Sequence, residues 1–399
     1  MIIRNTSSKF NTEHHSRHII YEKQKFLSIT NKMPLIEVRG TIWESTMRAA
    51  VRVGSEITFK TNVPIPKTVE PGSALIRIKA AAINPIDYKL SSTIFGSGVG
   101  LDFAGVIESI EGYPSGFSVG DEVYGKLSGS LADFGIAKIK DIALKPRNIG
   151  FPEAAAIPLT YLTALQGLRN FGRLRKRGRV LIIGASGGCG IAALQLSKSM
   201  GASRIVAVCS GKNAEIVKFH GADEVINYQK QSLVGYFQHE KTGEIDDSLM
   251  FDVIFDAASS SGAGEYYKSE SIQLLAKEIP NKKGHGQYVA TSCGYFADGL
   301  LWISSLLCVN KLYTTFPKNV FAEERNEHLI LYDNNSDDLK YLANLVEVGW
   351  KDEKGNRKKL SPVLDSLLSF NSENVAQGFT ILKSRRAVGK VVFDMSDEK

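Results

Sequence analysis

One run of small residues has the composition and position of an anion-binding loop. It lies between an apolar stretch, Arg179–Ile183, and a segment with helical patterning, Ile191–Met200, and consists of Gly184, Ala185, Ser186, Gly187, Gly188, Cys189 and Gly190. Glycines let the backbone turn tightly and approach a diphosphate, whose charge is met by N–H groups at the N-terminus of the following helix. The run therefore predicts a strand, loop and helix that bind a dinucleotide. A Gly-rich turn in an unrelated α/β protein is the alternative.

The end of the next apolar stretch bears on which dinucleotide is bound. Enzymes that use NAD usually carry an acidic residue about twenty residues beyond the glycines, where it binds the ribose 2′-hydroxyl. Here Val208–Cys209 is followed by Ser210, Gly211 and Lys212, and no carboxylate is present. Lys212 can pair with a 2′-phosphate and Ser210 can donate a hydrogen bond, which favours NADPH over NADH. A solvated lysine in the first turn of a helix is the alternative for Lys212.

The cysteines indicate a reducing compartment. Cys189, Cys209, Cys293 and Cys308 include no pair with CxxC spacing and form no dense disulfide pattern. Cys189 stands in the glycine loop, where a helix N-terminus can lower the pKa of a thiol and make it reactive. A small, packed, unreactive residue is the alternative.

Length and composition are those of an ordinary soluble protein. The 399 residues suggest two or three domains, and 43% hydrophobic with 23% charged residues excludes disorder or coiled coil as the main architecture. The net charge of +7 is a weak argument for a nucleic-acid or membrane partner. The basic run Arg173–Arg179 lacks interleaved aromatic residues, so a solvated turn is favoured over RNA binding. The apolar run Leu300–Val309 is about half the ~20 residues of a membrane span and predicts a buried or interface strand.

Residues 1–46 are polar and have no clear apolar period. The first twelve hold basic and hydroxyl residues without an acid, as in an organelle transit peptide, but Glu13 and Glu22 follow soon. We therefore expect a cytoplasmic protein with an extended or disordered tail. The alternative is a mitochondrial or plastid protein whose transit peptide is this segment.

The predicted secondary structure that positions these residues differs between segments of the chain. From Met47 the sequence predicts short strands between Gly/Pro turns, at Met47–Val53, Ala74–Ile83, Phe103–Ile110 and Asp121–Tyr124. From about residue 167 strands and helices alternate, which predicts a parallel sheet with helices on both faces. The predicted strands are Val180–Ile183, Ile205–Cys209, Glu224–Asn227, Phe251–Asp256 and Gln287–Thr291, and the predicted helices include Gly187–Met200 and a segment through Ile216–Phe219.

A third segment begins near residue 336. It predicts a helix with Leu339, Leu342 and Val346 on one face, a strand at Val363–Phe370, a helix capped by Ser372, and a last strand at Gly389–Phe393. The charged stretch Lys351–Lys359 predicts an exposed loop. We expect an α/β protein in which residues 47–166 and 336–399 form one discontinuous β-rich catalytic domain. Residues 167–335 would form a doubly wound, Rossmann dinucleotide-binding domain, and residues 1–46 an extension.

The ordered motifs resemble a known family, the zinc-independent quinone oxidoreductase (zeta-crystallin-like) branch of the medium-chain dehydrogenase/reductase superfamily. The resemblance rests on Met47–Val51, Ala82–Lys89, Gly100–Gly105, Val119–Gly125, Gly184–Gly190, Gly221–Tyr228 and Gly389–Val392. It implies that the discontinuous domain is GroES-like and that the active site lies between it and the Rossmann domain. It also implies that Asn84 and Leu101 replace a cysteine and a histidine that bind catalytic zinc in related alcohol dehydrogenases, so no metal is expected.

The resemblance further implies an NADPH-dependent reduction of a quinone or an α,β-unsaturated carbonyl compound. Negative charge that develops on the substrate oxygen must be met by hydrogen-bond donors, and the family places Asn84 and its neighbours Asp87 and Tyr88 near the cleft. Tyr88 is a candidate proton donor, whereas a turn at Asn84 and structural roles for Asp87 and Tyr88 are the alternatives. By similarity, Thr163 lies near the nicotinamide and Tyr228 near the adenosine phosphate.

Two other functions remain open from the sequence. An enoyl-thioester reductase is the second enzyme candidate, but the tyrosine that many relatives carry in the loop after the Asn–Pro motif is missing from Ser91–Gly96. A structural or RNA-binding protein that keeps the NADPH fold, as in zeta-crystallin, is the candidate of another class. Family analogy suggests a homodimer with a small-molecule substrate, and we expect neither a nucleic-acid partner nor a membrane span.

Overall fold

A computed structural model describes residues 46–54, 56–67, 69–89, 96–112, 116–239, 242–258, 264–277, 286–291, 327–329 and 333–396. Residues 1–45 of the N-terminal extension, the apolar run Leu300–Val309, Ser91–Phe95 of the loop after the Asn–Pro motif, and two of the cysteines, Cys293 and Cys308, lie outside the described residues. The predictions made for them therefore stay predictions. Within the described part of the chain, no helix is both long enough and apolar enough to cross a membrane.

The strands and helices have the following bounds. The strands are β1 (Thr46–Val53), β2 (Glu56–Pro64), β3 (Ser73–Ile83), β4 (Asp102–Glu111), β5 (Glu122–Lys126), β6 (Phe134–Lys138), β7 (Ile142–Leu144), β8 (Arg179–Ile183), β9 (Arg204–Cys209), β10 (Glu224–Asn227), β11 (Val253–Asp256), β12 (Gln287–Ala290), β13 (Glu327–Leu329), β14 (Trp350–Lys351), β15 (Arg357–Lys358), β16 (Leu364–Ser369) and β17 (Lys390–Asp394). The α-helices are α1 (Ile86–Lys89), α2 (Phe151–Ala155), α3 (Pro158–Gln166), α4 (Gly188–Ser199), α5 (Ala214–Phe219), α6 (Leu233–Phe237), α7 (Gly264–Ile272), α8 (Ser336–Glu347) and α9 (Ser372–Lys383).

Six parallel strands form the predicted dinucleotide-binding sheet. Their order is β10-β9-β8-β11-β12-β13, in which the chain reverses direction across the sheet between β8 and β11. This is the strand order of the Rossmann fold, and ligands bind at the carboxyl ends of the strands where the order reverses. The strands β8, β9 and β11 consist almost entirely of buried residues, because helices cover both faces of such a sheet. The glycine loop after β8 therefore lies at the expected edge.

The second large sheet joins the beginning and the end of the described chain. Its order is β16-β17-β3-β4-β5-β7, with β6 also paired to β3. Strand β17 runs antiparallel to β3, with Val391 opposite Ile83. The apolar faces of these strands pack in one core, which includes Ile76, Phe103, Phe379 and Phe393. The α/β fold class with a discontinuous β-rich unit and a Rossmann sheet is thus confirmed, while the exact domain boundaries stay predictions.

Three local expectations differ from the structure. Helix α9 is capped by Asn371 and not by Ser372, because Asn371 has the extended backbone of an N-cap and its side chain accepts the N–H of Asn374. The stretch predicted as a loop at Lys351–Lys359 contains the small antiparallel pair β14 and β15, although most of its residues are exposed as expected. Helices α2 and α3 lie at residues 151–166, where no helix was predicted from the sequence.

Candidate active site

The glycine loop links β8 to α4, and its backbone is closely packed at Gly190. Gly184 has φ +73°, a conformation that side-chain-bearing residues rarely adopt, and a Cβ built on Gly190 would lie 2.3 Å from the carbonyl oxygen of Gly184. Gly187, which precedes α4, makes no side-chain capping bond to the helix, and a Cβ built on it would meet only Gly184 O, at 3.5 Å. The backbone at the start of α4 is therefore uncovered on one side among the described residues. This arrangement fits the diphosphate of a dinucleotide.

The residues predicted to bind the ribose and its phosphate lie at the same sheet edge. Ser210 is buried directly after β9, and Lys212 is exposed in the short turn Gly211–Asn213. The side chain of Asn213 donates a hydrogen bond of 2.9 Å to Ser186 Oγ, which connects this turn to the glycine loop. Tyr228 follows β10 and is half exposed. The carboxyl ends of β8, β9 and β10 thus bring the predicted cofactor residues to one edge, with a cationic side chain facing solvent.

The glycine loop also contacts the β-rich unit and helix α3. The N–H of Gly389 donates a hydrogen bond of 3.0 Å to the carbonyl oxygen of Ser186. A Cβ built on Gly188 would lie 2.9 Å from Thr160 Cγ2 and 3.1 Å from Lys390 Cδ. Gly389 and Lys390 at the start of β17, and the Thr160 side chain of α3, therefore pack against the loop that is predicted to bind the diphosphate.

A fully buried polar network lies next to these contacts. Asn84, at the end of β3, donates from Nδ2 to Asp102 Oδ2 over 2.8 Å. The Lys390 ammonium pairs with the same Asp102 oxygen at 3.2 Å and donates to Asn84 Oδ1 and, at 3.0 Å, to the carbonyl oxygen of Ile83. The three side chains are at most 5% exposed. Burial of a charged pair is tolerated here because each charge has several hydrogen-bond partners.

Asp102 also joins this network to helix α3. Its Oδ1 accepts the N–H of Leu159 at 3.0 Å, in the first turn of the helix. Thr163, which family resemblance places near the nicotinamide, lies on α3 one turn further and is buried. The position of Thr163 therefore depends on a helix whose N-terminus is fixed by a carboxylate of the β-rich unit.

Asp87 lies beside the network, whereas Tyr88 packs elsewhere. Asp87 Oδ2 accepts the backbone N–H of Asn84 at 2.7 Å, and the Arg52 guanidinium donates to the carbonyl oxygen of Asp87. Burial raises the pKa of the Asp87 carboxyl to about 7, although the hydrogen bond from Asn84 acts in the opposite direction. The ring of Tyr88 lies against Lys383 of α9, with Nζ 5.7 Å from the ring centroid. Of the three predicted catalytic residues, the structure brings together Asn84 and Asp87.

Cys189 does not have the environment of a reactive thiol. Burial raises its pKa to about 12, with only partial compensation from the positive charge of Lys390. A thiol must ionise to act as a nucleophile. This environment favours the alternative in which Cys189 is a small packed residue of the loop over the one in which it is reactive.

Asp102 and Lys390 were not predicted as site residues from the sequence. Both are charged residues inside otherwise apolar strands, at the start of β4 and of β17. Such residues are almost never fully buried unless they are paired. That rule is the signal that identifies them, although it does not indicate which partner each one has.

Two family models match the chain. The one described as "Alcohol dehydrogenase GroES-like domain" matches residues 70–138, and the one described as "Zinc-binding dehydrogenase" matches residues 220–393. A chloroplast envelope quinone oxidoreductase homolog from Arabidopsis thaliana is 35% identical over 355 residues, which are 83% of this chain and 92% of that protein. The chain belongs to the zinc-independent quinone oxidoreductase branch of the medium-chain dehydrogenase/reductase superfamily.

Two further relatives are consistent with membership in this superfamily. The chloroplastic NADPH-dependent alkenal/one oxidoreductase of Arabidopsis thaliana is 27% identical over 354 residues, which are 84% of this chain and 75% of that protein. The quinone oxidoreductase structure from Coxiella burnetii has a TM-score of 0.63 and 22% identity, and the match covers 88% of this chain and 100% of that one. The second likeness shows the medium-chain dehydrogenase/reductase fold alone.

The residues of this medium-chain dehydrogenase/reductase do not fit a catalytic zinc ion at Asn84. Zinc prefers thiolate, imidazole and carboxylate ligands, whereas the position holds an amide bonded to Lys390 and Asp102, and Leu101 beside it has no donor atom. Within the described ranges no three His, Cys, Asp or Glu side chains lie close enough to hold a metal ion.

Proposed function

We propose that the protein is an NADPH-dependent reductase that transfers hydride to a quinone or an α,β-unsaturated carbonyl compound without zinc. The observation that carries this proposal is the close packing of the glycine loop beside the buried Asn84–Asp102–Lys390 network: a Cβ on Gly188 would lie 3.1 Å from Lys390 Cδ, and Gly389, next to Lys390 in the chain, donates to Ser186 O. A dinucleotide on the loop would lie near the Asn84 carboxamide, which can donate a hydrogen bond to a substrate oxygen. Relatives that are named as quinone oxidoreductase homologs and alkenal/one oxidoreductases support the same substrate class.

Preference for NADPH follows from the residues after β9. A 2′-phosphate carries negative charge, and the exposed cation of Lys212 stands where NAD enzymes have a carboxylate. Buried Ser210 precedes it, and Asn213 bonds back to the glycine loop. One relative is named as NADPH-dependent. We assign the cofactor as NADPH and the cofactor site to residues 184–190 with Thr163, Ser210, Lys212 and Tyr228.

The side chains of this chain would bind, orient and stabilise charge. When bound, the nicotinamide supplies the hydride, and the protein supplies orientation and hydrogen bonds. The carboxamide of Asn84 can donate to the substrate oxygen on which negative charge develops. Asp87 fixes the backbone of Asn84 through its hydrogen bond. Because the Tyr88 ring packs against Lys383, we assign final proton delivery to water and not to Tyr88.

A panel of electron acceptors tests the proposal. NADPH and NADH oxidation by the purified protein is measured against an ortho-quinone, a short 2-alkenal, an enoyl-CoA and no acceptor. We expect turnover with NADPH and the quinone or alkenal. Turnover with the enoyl-CoA alone would favour the enoyl-thioester reductase. Tight NADPH binding without oxidation by any acceptor would favour the structural or RNA-binding alternative.

The family resemblance suggests the assembly, and the sequence of residues 1–46 suggests the location. We propose a homodimer, for which light scattering after gel filtration should give twice the chain mass of 43.7 kDa. We also propose a cytoplasmic protein, with a mitochondrion or plastid as the alternative if residues 1–46 are a transit peptide. Fusion of residues 1–46 to a fluorescent protein distinguishes the two: diffuse fluorescence is expected, and organelle import would contradict it.

A further inference from the structure

The buried network restricts the Asn84 carboxamide to one orientation. An ammonium group has three N–H donors and no acceptor, and an ionised carboxylate has acceptors only. Lys390 therefore has to face Asn84 Oδ1, and Asp102 has to face Asn84 Nδ2, as both do in the structure. A rotated amide would place its NH₂ group against the ammonium and its oxygen against the carboxylate, which is repulsive on both sides. The identities of two neighbours thus fix which end of the amide points where.

The hydrogen bonds of this network leave a single donor uncommitted. All three N–H groups of Lys390 have acceptors, namely Ile83 O, Asn84 Oδ1 and Asp102 Oδ2. Asn84 uses its oxygen with Lys390 and one N–H with Asp102. One N–H of Asn84 has no partner among the described residues. This N–H is the group that a substrate oxygen can use, whereas the Lys390 ammonium has no N–H to offer to a cofactor phosphate.

Asp102 fixes a second part of the site at the same time. Its Oδ2 holds Asn84 and Lys390, and its Oδ1 accepts the N–H of Leu159 at the start of α3. The helix carries Thr160, which touches the glycine loop at Gly188, and Thr163. One carboxylate therefore sets the distance between the Asn84 amide and the helix beside the predicted nicotinamide position.

We propose that Lys390 and Asp102 are positioning residues for hydride transfer. They hold the Asn84 carboxamide with its remaining N–H directed to the substrate oxygen, and Asp102 aligns helix α3 with it. This inference rests on the proposed reductase function for the identity of the substrate oxygen. The fixed amide orientation itself does not depend on any activity.

Kinetics of paired variants test the role in catalysis. Loss of one partner leaves an unpaired buried charge, so Lys390→Met is combined with Asp102→Asn to remove both charges. We expect the double variant to lose kcat by about tenfold to a hundredfold, which is less than the roughly hundredfold to thousandfold loss for removal of an oxyanion donor itself, because the Asn84 amide remains. KM for NADPH should change less than about threefold, since Lys390 has no N–H for the cofactor.

Lys145→Met is the matched control. Lys145 is as buried as Lys390 and also has three acceptors, Pro146 O, Ile149 O and Glu122 Oε2. It contacts no carboxamide of the site. Its loss should lower the thermal midpoint, as in the double variant, and leave kcat within about twofold of wild type. An equal loss of kcat in the double variant and in Lys145→Met would show that lower stability alone reduces kcat, and it would overturn the inference.

An NMR measurement tests whether Lys390 and Asp102 position the Asn84 amide, independently of the proposed function. The side-chain amide of Asn84 is followed by ¹⁵N NMR of protein labelled at asparagine, and its signal is assigned by its absence in Asn84→Asp. We expect the shifts of its two protons to be displaced in Lys390→Met/Asp102→Asn and unchanged in Lys145→Met. An unchanged signal in the double variant overturns the inference whether or not the wild-type protein reduces any acceptor. A displaced signal with unaltered kcat overturns the catalytic role.

Discussion

Asp87 connects the candidate site to the pH dependence of folding. Its pKa is raised to about 7 in the folded protein by burial, above the ordinary aspartate value. A raised pKa means that the folded state prefers the protonated carboxyl, so the contribution of Asp87 to stability is greatest below pH 4. It decreases as pH rises towards 7. Removal of the charge should therefore stabilise the protein most at pH 7 and above.

The variant Asp87→Asn tests this residue. An asparagine oxygen can still accept the N–H of Asn84, so we expect the variant to gain on the order of 2 kcal/mol in unfolding free energy at pH 8 relative to wild type. The gain should shrink towards pH 5. Urea denaturation at both pH values measures it. Asp121→Asn is the control, because half-buried Asp121 accepts the N–H of Ser118 in the same way at 2.8 Å. A gain that is independent of pH would contradict the account.

Lys212 carries the prediction on cofactor choice. A charge-assisted hydrogen bond to a phosphate contributes about 1.5–3 kcal/mol, so Lys212→Ala should lower the ratio of kcat/KM for NADPH over NADH by about tenfold or more. Lys176→Ala is the matched control, since Lys176 is also exposed but precedes β8 at the opposite end of the strand. An unchanged ratio in Lys212→Ala would remove this residue from the cofactor site.

At the residue scale, the sequence identified some of the site and missed its charged core. The glycine loop follows from a motif of seven consecutive residues, and Asn84 and Asp87 follow from the family resemblance of the short segment Ala82–Lys89. Asp102 and Lys390 are separated by 288 positions, and no local spacing shows that they meet. Their pairing is decided by β17 lying beside β3, which is a property of the whole sheet.

Among the elements, the glycine loop and its helix make the sharpest stability prediction. A Cβ on Gly190 would lie 2.3 Å from Gly184 O, a backbone atom that has to move, whereas one on Gly187 would lie 3.5 Å from it. Gly190→Ala should therefore lose about 2 kcal/mol or more of unfolding free energy. The unfolding free energy of Gly187→Ala should lie within about 0.5 kcal/mol of the wild-type value. This variant should bind NADPH more weakly, and fluorescence titration measures that affinity. Equal unfolding free energies for the two variants would refute this packing.

The strands that were predicted agree with the structure within about two residues, because their apolar runs end at Gly, Pro or charged residues. The strands β2, β6, β7, β13, β14 and β15 were not predicted. Helix α8 was predicted from its buried stripe, which Leu339, Leu342 and Val346 confirm. Helices α2 and α3 were not predicted. Nearly every residue of α3 is buried, so its sequence lacks the alternation of apolar and polar positions that marks a helix at a protein surface.

On the scale of the molecule, β16 and β17 near the end of the described chain complete the sheet that begins with β3. Phe393 of β17 is fully buried in the same core as Phe103 of β4. Phe393→Ala should lose about 3–5 kcal/mol of unfolding free energy. Leu367→Ala, at a position 51% exposed on the neighbouring β16, should lose less than about 1 kcal/mol. Urea denaturation measures both, and similar losses would contradict the assignment of β17 to this core.

Isotope transfer tests the reductase proposal most directly. NADPH that carries deuterium on the transferred C4 position is oxidised by the protein with a short 2-alkenal, and the product is examined by mass spectrometry and NMR. Direct hydride transfer predicts one deuterium on the β-carbon of the saturated aldehyde and a solvent proton on the α-carbon. A product without deuterium at the β-carbon, or no product from any enone or quinone, would contradict the account.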